Sequence, residues 1–368
     1  ELAAFKYTTA LNYLLNRDNK HCLSVGDAST VFWVIAPNSK QAQKAENIFE
    51  QIVNPSDDSE AAQLNLLVEQ ISKGRPLQEV APDIDPCSRF YLLGLAPNAS
   101  RLSIRYWLDT TFGQLEHHMG KHYTDLSLDP LPWKTPPSIL RLLIELIPYR
   151  PEKKIKFDDI PSHLAGEMMR SFLTGDRYPH SLLAQLILRI RSDGHISPLR
   201  VAMIKAVLNR DGRKLSKEEI PMGLDENNEN NAYQLGRLFA ILERIQKVAL
   251  EKYDSKSGES KKINSTITDR YFGSASTVPY SVFPRLLASS KHHLSKIRKN
   301  QNKKIASLAF HLDEDIGKII GKLPHEFPKH FSIEDQGRFS IGYYQQRNKK
   351  RSTLDKNGTD SETNSETN

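Results

Sequence analysis

The sequence predicts an α+β chain: a mixed α/β N-terminal region with a β-hairpin, then a mainly helical middle and a C-terminal helical bundle. Three observations lead there. Strand-like alternation is confined to residues 1–130, helical spacing takes over beyond Pro136, and the net positive charge is concentrated in the last third. The expected boundaries are a mixed region at 1–130, a helical region at 131–215 and a linker at 216–231. A basic helical bundle at 232–347 and a disordered tail at 348–368 complete the chain.

Phe5–Leu15 reads as a helix already under way close to Glu1, so the chain is expected to be the C-terminal part of a longer protein. Val31–Ala36 (VFWVIA) is a strand preceded by the turn-like pair Gly26-Asp27, and Glu60–Ile71 carries helical spacing. The clearest hairpin signal follows. Phe90–Leu95 is strand-like, Pro97-Asn98 is a turn pair, and Arg101–Trp107 alternates. That alternation predicts Leu102, Ile104 and Tyr106 toward a core, with Arg101, Ser103, Arg105 and Trp107 facing outward. Arg101 and Arg105 are therefore candidate nucleic-acid contacts, to phosphates or bases, or solvated cations on an amphipathic edge strand.

Beyond Pro136 the helices punctuate themselves. Ile139–Ile147 stops at Pro148, His163–Leu173 ends near Gly175, and Ser181–Arg191 ends near Gly194. Pro198 suits the first turn of a helix reaching about Asn209. Asp211–Asn231 is polar and aperiodic, as a linker would be.

In the last third, Leu235, Leu238, Leu242, Ile245 and Ala249 make one apolar stripe, with Arg237 and Arg244 on another face. A second helix, Val282–Lys299, buries Phe283, Leu286, Leu287, Leu294 and Ile297. If it runs on, Arg285, His292, Lys296, Lys299 and Lys303 form one cationic ridge. Ile305, Leu308, Leu312, Ile316, Ile319 and Leu323 supply a third seam, and three such helices pack as a bundle.

Charge says what the outer face meets. The whole chain is +7, yet Tyr233–Arg351 holds 23 Lys and Arg against 11 Asp and Glu, a surplus of +12. Such asymmetry points to a polyanion. Five ridge cations engaged on a single strand would give a salt slope of roughly −3.5. The candidate contacts are Arg237, Arg244, Lys247, Arg285, Lys296, Lys299 and Lys303.

Catalytic groupings are weak. Two cysteines, Cys22 and Cys87, make neither a disulfide framework nor a zinc pair, which fits a reducing cytoplasm. His118 and His122 are four residues apart beside His117, but His-Glu-x-x-His is absent, and so are the phosphate-loop and Gly-x-Ser-x-Gly patterns. Gly273-Ser274-Ala275-Ser276 reads as a tight turn. Asp313, Glu314 and Asp315 splay around a helix rather than converging on one ion. No cofactor, metal or catalytic residue is expected, and no apolar run is long enough to span a membrane.

Four segments carry a resemblance. They are FKYTTALNYLL with VGDASTVFW (Phe5–Leu15, Val25–Trp33) and FYLLGLAPNASRLSIRYW (Phe90–Trp107). AYQLGRLFAILERIQ with INSTITDRYFGSASTVPYSVFPRLL (Ala232–Gln246, Ile263–Leu287) and FSIEDQGRFSIGYYQQR (Phe331–Arg347) follow. In this order they resemble the large-subunit family of type I-C CRISPR interference complexes. The resemblance implies a non-catalytic subunit of an RNA-guided surveillance complex (Cascade). Its partners would be guide RNA, target DNA, the other Cascade subunits and a recruited helicase–nuclease. It also implies that the helical C-terminal part corresponds to a small subunit made by internal translation, for which Met222, behind Lys217-Glu218-Glu219, is the expected start. The alternatives are a metal-dependent nuclease and a scaffold that binds only protein. Arg270 and Arg338 lie inside the matching segments and suit internal ion pairs as well as nucleic acid.

Overall fold

A computed structural model of the chain describes residues 2–16, 21–25, 28–53, 70, 73, 75, 79, 81–98, 101–149, 160–214, 219–250, 252–253, 260–261 and 265–349. The Gly26-Asp27 turn, the helical spacing at Glu60–Ile71 apart from Gln70, and the tail from Lys350 lie outside the described residues. The architecture is α+β. The chain divides into two compact units, Glu1–Ile220 with Ser332–Gly337, and Pro221–Phe331 with Arg338–Asn368.

In the first unit, β1 (Cys22–Val25), β2 (Ala28–Ile35), β3 (Arg89–Asn98) and β4 (Arg101–Thr111) form an antiparallel meander in the order β1-β2-β3-β4. Helix α2 (Ser39–Val53) covers one face, where the rings of Phe32 and Phe90 each lie 4.8 Å from that of Phe49. Helix α1 (Leu2–Leu15) lies by the other face and buries none of its own residues.

The hairpin differs from its sequence reading in two ways. Pro97 and Asn98 are the last residues of β3, paired with Leu102 and Arg101, so they are not the turn. A bulge at Gly94/Leu95 pairs Leu95 with Ile104 and Gly94 with Tyr106, leaving Arg105 as the extra residue. The strict alternation therefore changes phase at Arg105. Tyr106 turns inward over Gly94, where a Cβ would sit 2.5 Å from its ring, and its hydroxyl bonds Thr30. Leu102 and Ile104 join Trp107 on the outer face and stand more than half exposed, at 63%, 68% and 53%.

Among the described residues five further helices belong to this unit: α3 (Phe112–Leu126), α4 (Ile139–Ile144), α5 (Ser162–Thr174), α6 (His180–Asp193) and α7 (Pro198–Lys214). Helices α5 and α6 stop at Gly175 and Gly194, whose φ angles of 71° and 64° only glycine adopts without strain. Helix α7 extends beyond Asn209 to Lys214, into the stretch expected to be linker. Val201 to Arg210 are buried without interruption, so α7 is surrounded. A surrounded helix must satisfy its own polar groups. Arg200 does so on the Glu145 and Ile147 carbonyls and the Asp193 carboxylate, and Lys205 donates to the Asp125 carbonyl. Arg210 pairs with Asp125 at 2.9 Å, both 2% exposed.

The second unit repeats the plan with α8 (Asn231–Leu250) as its surrounded helix, buried from Ala232 to Glu243. Around it stand α9 (Ile267–Ala275), α10 (Pro279–Arg298), α11 (Lys303–Ile320) and most of α12 (Ile333–Arg347). A two-residue ladder joins β5 (Lys252–Tyr253) to β6 (Ser260–Lys261) after α8. Phe239, Phe272, Phe283, Phe339 and Tyr343 form the aromatic centre, with ring separations of 5.2–6.5 Å. Helices α8 and α12 cross at glycines. A Cβ on Gly236 would meet the Phe339 carbonyl oxygen at 2.0 Å, and one on Gly342 the Tyr233 carbonyl oxygen at 2.2 Å.

Residues 221–230, expected to be linker, are held in place. The Tyr233 hydroxyl accepts from the Asp225 amide and donates to Gln345, which donates in turn to the carbonyls of Pro221 and Met222. Asn230 caps the start of α8 through the amides of Ala232 and Tyr233.

Candidate nucleic-acid interface

The basic face of the second unit starts from its surrounded helix. Beyond its buried run from Ala232 to Glu243, α8 reaches the surface in its C-terminal half, where it presents Arg244 and Lys247. The end of α12 brings Arg347 and Lys349 beside them, and α11 contributes Leu312 and Asp315. Together they enclose a cleft of about 380 Å³.

Glu243 organises this cleft from beneath. It is 3% exposed and receives Lys247 at 3.0 Å, the Tyr343 hydroxyl at 2.8 Å and the Thr266 hydroxyl at 3.1 Å. Burial opposes its ionisation, but Lys247, the Tyr343 bond and Arg347 outweigh that and hold its carboxyl below the usual range. Arg347 in turn donates to the Tyr343 hydroxyl at 3.2 Å. One buried carboxylate thus aligns Lys247 directly and Arg347 through a tyrosine, while Lys349 leans on Glu226 at 2.6 Å. Such a cleft can take an anion with little rearrangement.

The remaining candidates fall into three groups. Arg237 faces inward at 6% exposure, donating to Gln346 at 2.9 Å and Gln234 at 3.1 Å. It is a packing group rather than a surface contact, and burial pulls its pKa below the usual guanidinium value. Arg285, Lys296 and Lys299 are exposed along and just beyond α10. The continuous ridge, however, breaks. Helix α10 ends at Arg298, and Asn302 opens α11 by accepting from the Lys304 amide, so Lys303 stands on a different helix. An asparagine cap outcompetes continuation because it satisfies the orphan amides of the new first turn. Arg101 and Arg105 are exposed in the first unit, near the hairpin tip and at the bulge.

The sequence reading missed Arg347 and Lys349 as site residues. The signal was the basic run closing the FSIEDQGRFSIGYYQQR segment, visible without its return to Arg244. The acids considered for a nuclease have other tasks: Asp313 pairs with Arg298 at 2.6 Å, Glu314 with Lys318 at 2.9 Å, and Asp315 lies on the cleft wall. His118 and His122 bond the Leu173 carbonyl (2.8 Å) and the Tyr178 hydroxyl. Among the described residues no group of three or more His, Cys, Asp or Glu is arranged to hold a metal. Among them also, no helix is long and apolar enough to cross a membrane. Arg270 is exposed, and Arg338 is half-buried with a partner of its own.

The class is set by comparison with known families: residues 1–350 match the model of a CRISPR-associated protein. The chain belongs to that family, Cas_Csd1. Among curated proteins none matches it.

Proposed function

We propose that the chain belongs to the non-catalytic large subunit of a cytoplasmic type I-C surveillance complex, where it helps bind target DNA and holds the displaced strand. In this reading guide RNA selects the sequence by pairing, and the protein contributes sequence-independent grip. The other Cascade subunits and a helicase–nuclease recruited after target binding are its partners. The observation that carries the reading is the convergence of Arg244, Lys247, Arg347 and Lys349 on one cleft, in a unit that also exposes the cations of α10.

A salt titration of single-stranded DNA affinity with the full chain tests it. One phosphate held in the cleft and one at each of Arg285, Lys296 and Lys299 would engage four phosphates of a single strand, for an expected log–log slope of about −3. A flat response would leave only the scaffold role. The DNA should also be recovered intact after incubation with Mg²⁺ or Mn²⁺; cleavage abolished by EDTA would overturn the non-catalytic assignment.

Met222 is the proposed internal start of a separately made small subunit. It is 52% exposed at the head of the second unit, one residue beyond the division at Ile220–Pro221. Replacing its codon with a non-start codon is expected to remove a short product from a gel of the expressed gene. Persistence of that product would refute the start.

A further inference from the structure

The cleft between α8, α11 and α12 is larger and chemically more varied than a phosphate contact requires. Its roughly 380 Å³ falls in the range of small-ligand sites. Its lining is also divided. Cations from α8 and the end of α12 stand with the apolar Ile241 and Leu312, while the carboxylate of Asp315 comes from α11. A site that bound phosphate alone would gain nothing from a carboxylate, which repels it. The acceptor becomes useful once the ligand also carries N–H donors.

We propose that this cleft is a single-nucleotide subsite. Arg244, Lys247 and Arg347 take one phosphate of a single strand, the apolar wall supports one unstacked base, and Asp315 accepts from its amino edge. The inference rests on the nucleic-acid reading above and adds to it the unit of recognition. A base inside a duplex has its edge committed to its partner, so the subsite admits single strands and excludes paired ones. Glu243 acts as a positioning residue, holding Lys247 and the Tyr343–Arg347 pair at the mouth.

The test is competition against a labelled 20-nucleotide single strand bound to the full chain, at constant ionic strength. Cytidine 5′-monophosphate is expected to displace it at about one tenth the concentration needed by inorganic phosphate, since its N4 amino group suits a carboxylate acceptor. Asp315→Ala should erase that advantage without weakening competition by phosphate, since it removes a like charge from the cleft. Arg244→Ala and Lys349→Ala should each weaken strand binding about fivefold, and unlabelled duplex should compete poorly. Equal competition by nucleotide and phosphate would overturn the subsite and leave a bare anion clamp. Strand binding that ignores all three variants would overturn the subsite while the DNA reading stands. No strand binding at all would remove both.

Discussion

Gly236→Ala is expected to destabilise the second unit by about 3 kcal/mol, even though alanine is the better helix former. The added methyl would lie 2.0 Å from the Phe339 carbonyl oxygen, a backbone atom that no rotamer change can move. Relief requires α8 and α12 to separate, and separation loosens the aromatic centre at Phe239, Phe272 and Phe339. Gly317→Ala on α11 is the matched control. Nothing lies within 4 Å of its added carbon, so the substitution should stabilise by about 0.5–1 kcal/mol through propensity alone. Urea unfolding followed by circular dichroism measures both. A Gly236→Ala midpoint equal to that of the parent chain would contradict the close crossing.

Asp125→Ala in the first unit should cost about 3–5 kcal/mol, because it strands the buried guanidinium of Arg210 without its counter-charge. Arg210 also donates to the Ser171 and Asp176 carbonyls and stacks on Tyr178 at 4.1 Å, so it cannot swing out to water cheaply. Arg213, which shares Asp125 at 2.8 Å but is 24% exposed, should cost only about 1 kcal/mol when cut to alanine. Acid weakens the same neighbourhood. Burial, with Arg210 nearby, holds the His122 pKa well below its ordinary 6.5. The unfolded chain takes up that proton and the folded one does not, so stability falls as pH drops from about 6.5. Equal urea midpoints for Asp125→Ala and Arg213→Ala would show that the pair is not the anchor described.

How much of this was legible in the sequence depends on the kind of residue involved. Helix ends written in glycine and proline, at Gly175, Gly194 and Pro198, could be read directly because they restrict the backbone locally. The stripes on α10 and α11 were equally plain, since one face of each meets water. The last helix of the second unit, α12, carries no such sign. Buried on most sides and built with Gly337, Ser340 and Gly342, it shows no polar face from which to infer a period. The bulge at Arg105 was also hidden: it depends on Tyr106 seeking Thr30 on another strand, which no local pattern encodes. At the candidate site the types of residue were visible and their company was not. Arg237 and Arg244 look alike on a helical wheel, yet one is sealed under Gln346 and the other lines a cleft, because α12 covers only part of α8.

The bonded run from Pro221 to Asn230 bears on how the chain can be dissected. Gln345, near the far end of the second unit, reaches back to the carbonyls of Pro221 and Met222, and Tyr233 grips the amide of Asp225. A truncation beginning at Asn231, where the helix visibly starts, would therefore discard the clasp that fastens both ends of the excised piece. A cut placed ahead of Pro221 keeps that fastening whole.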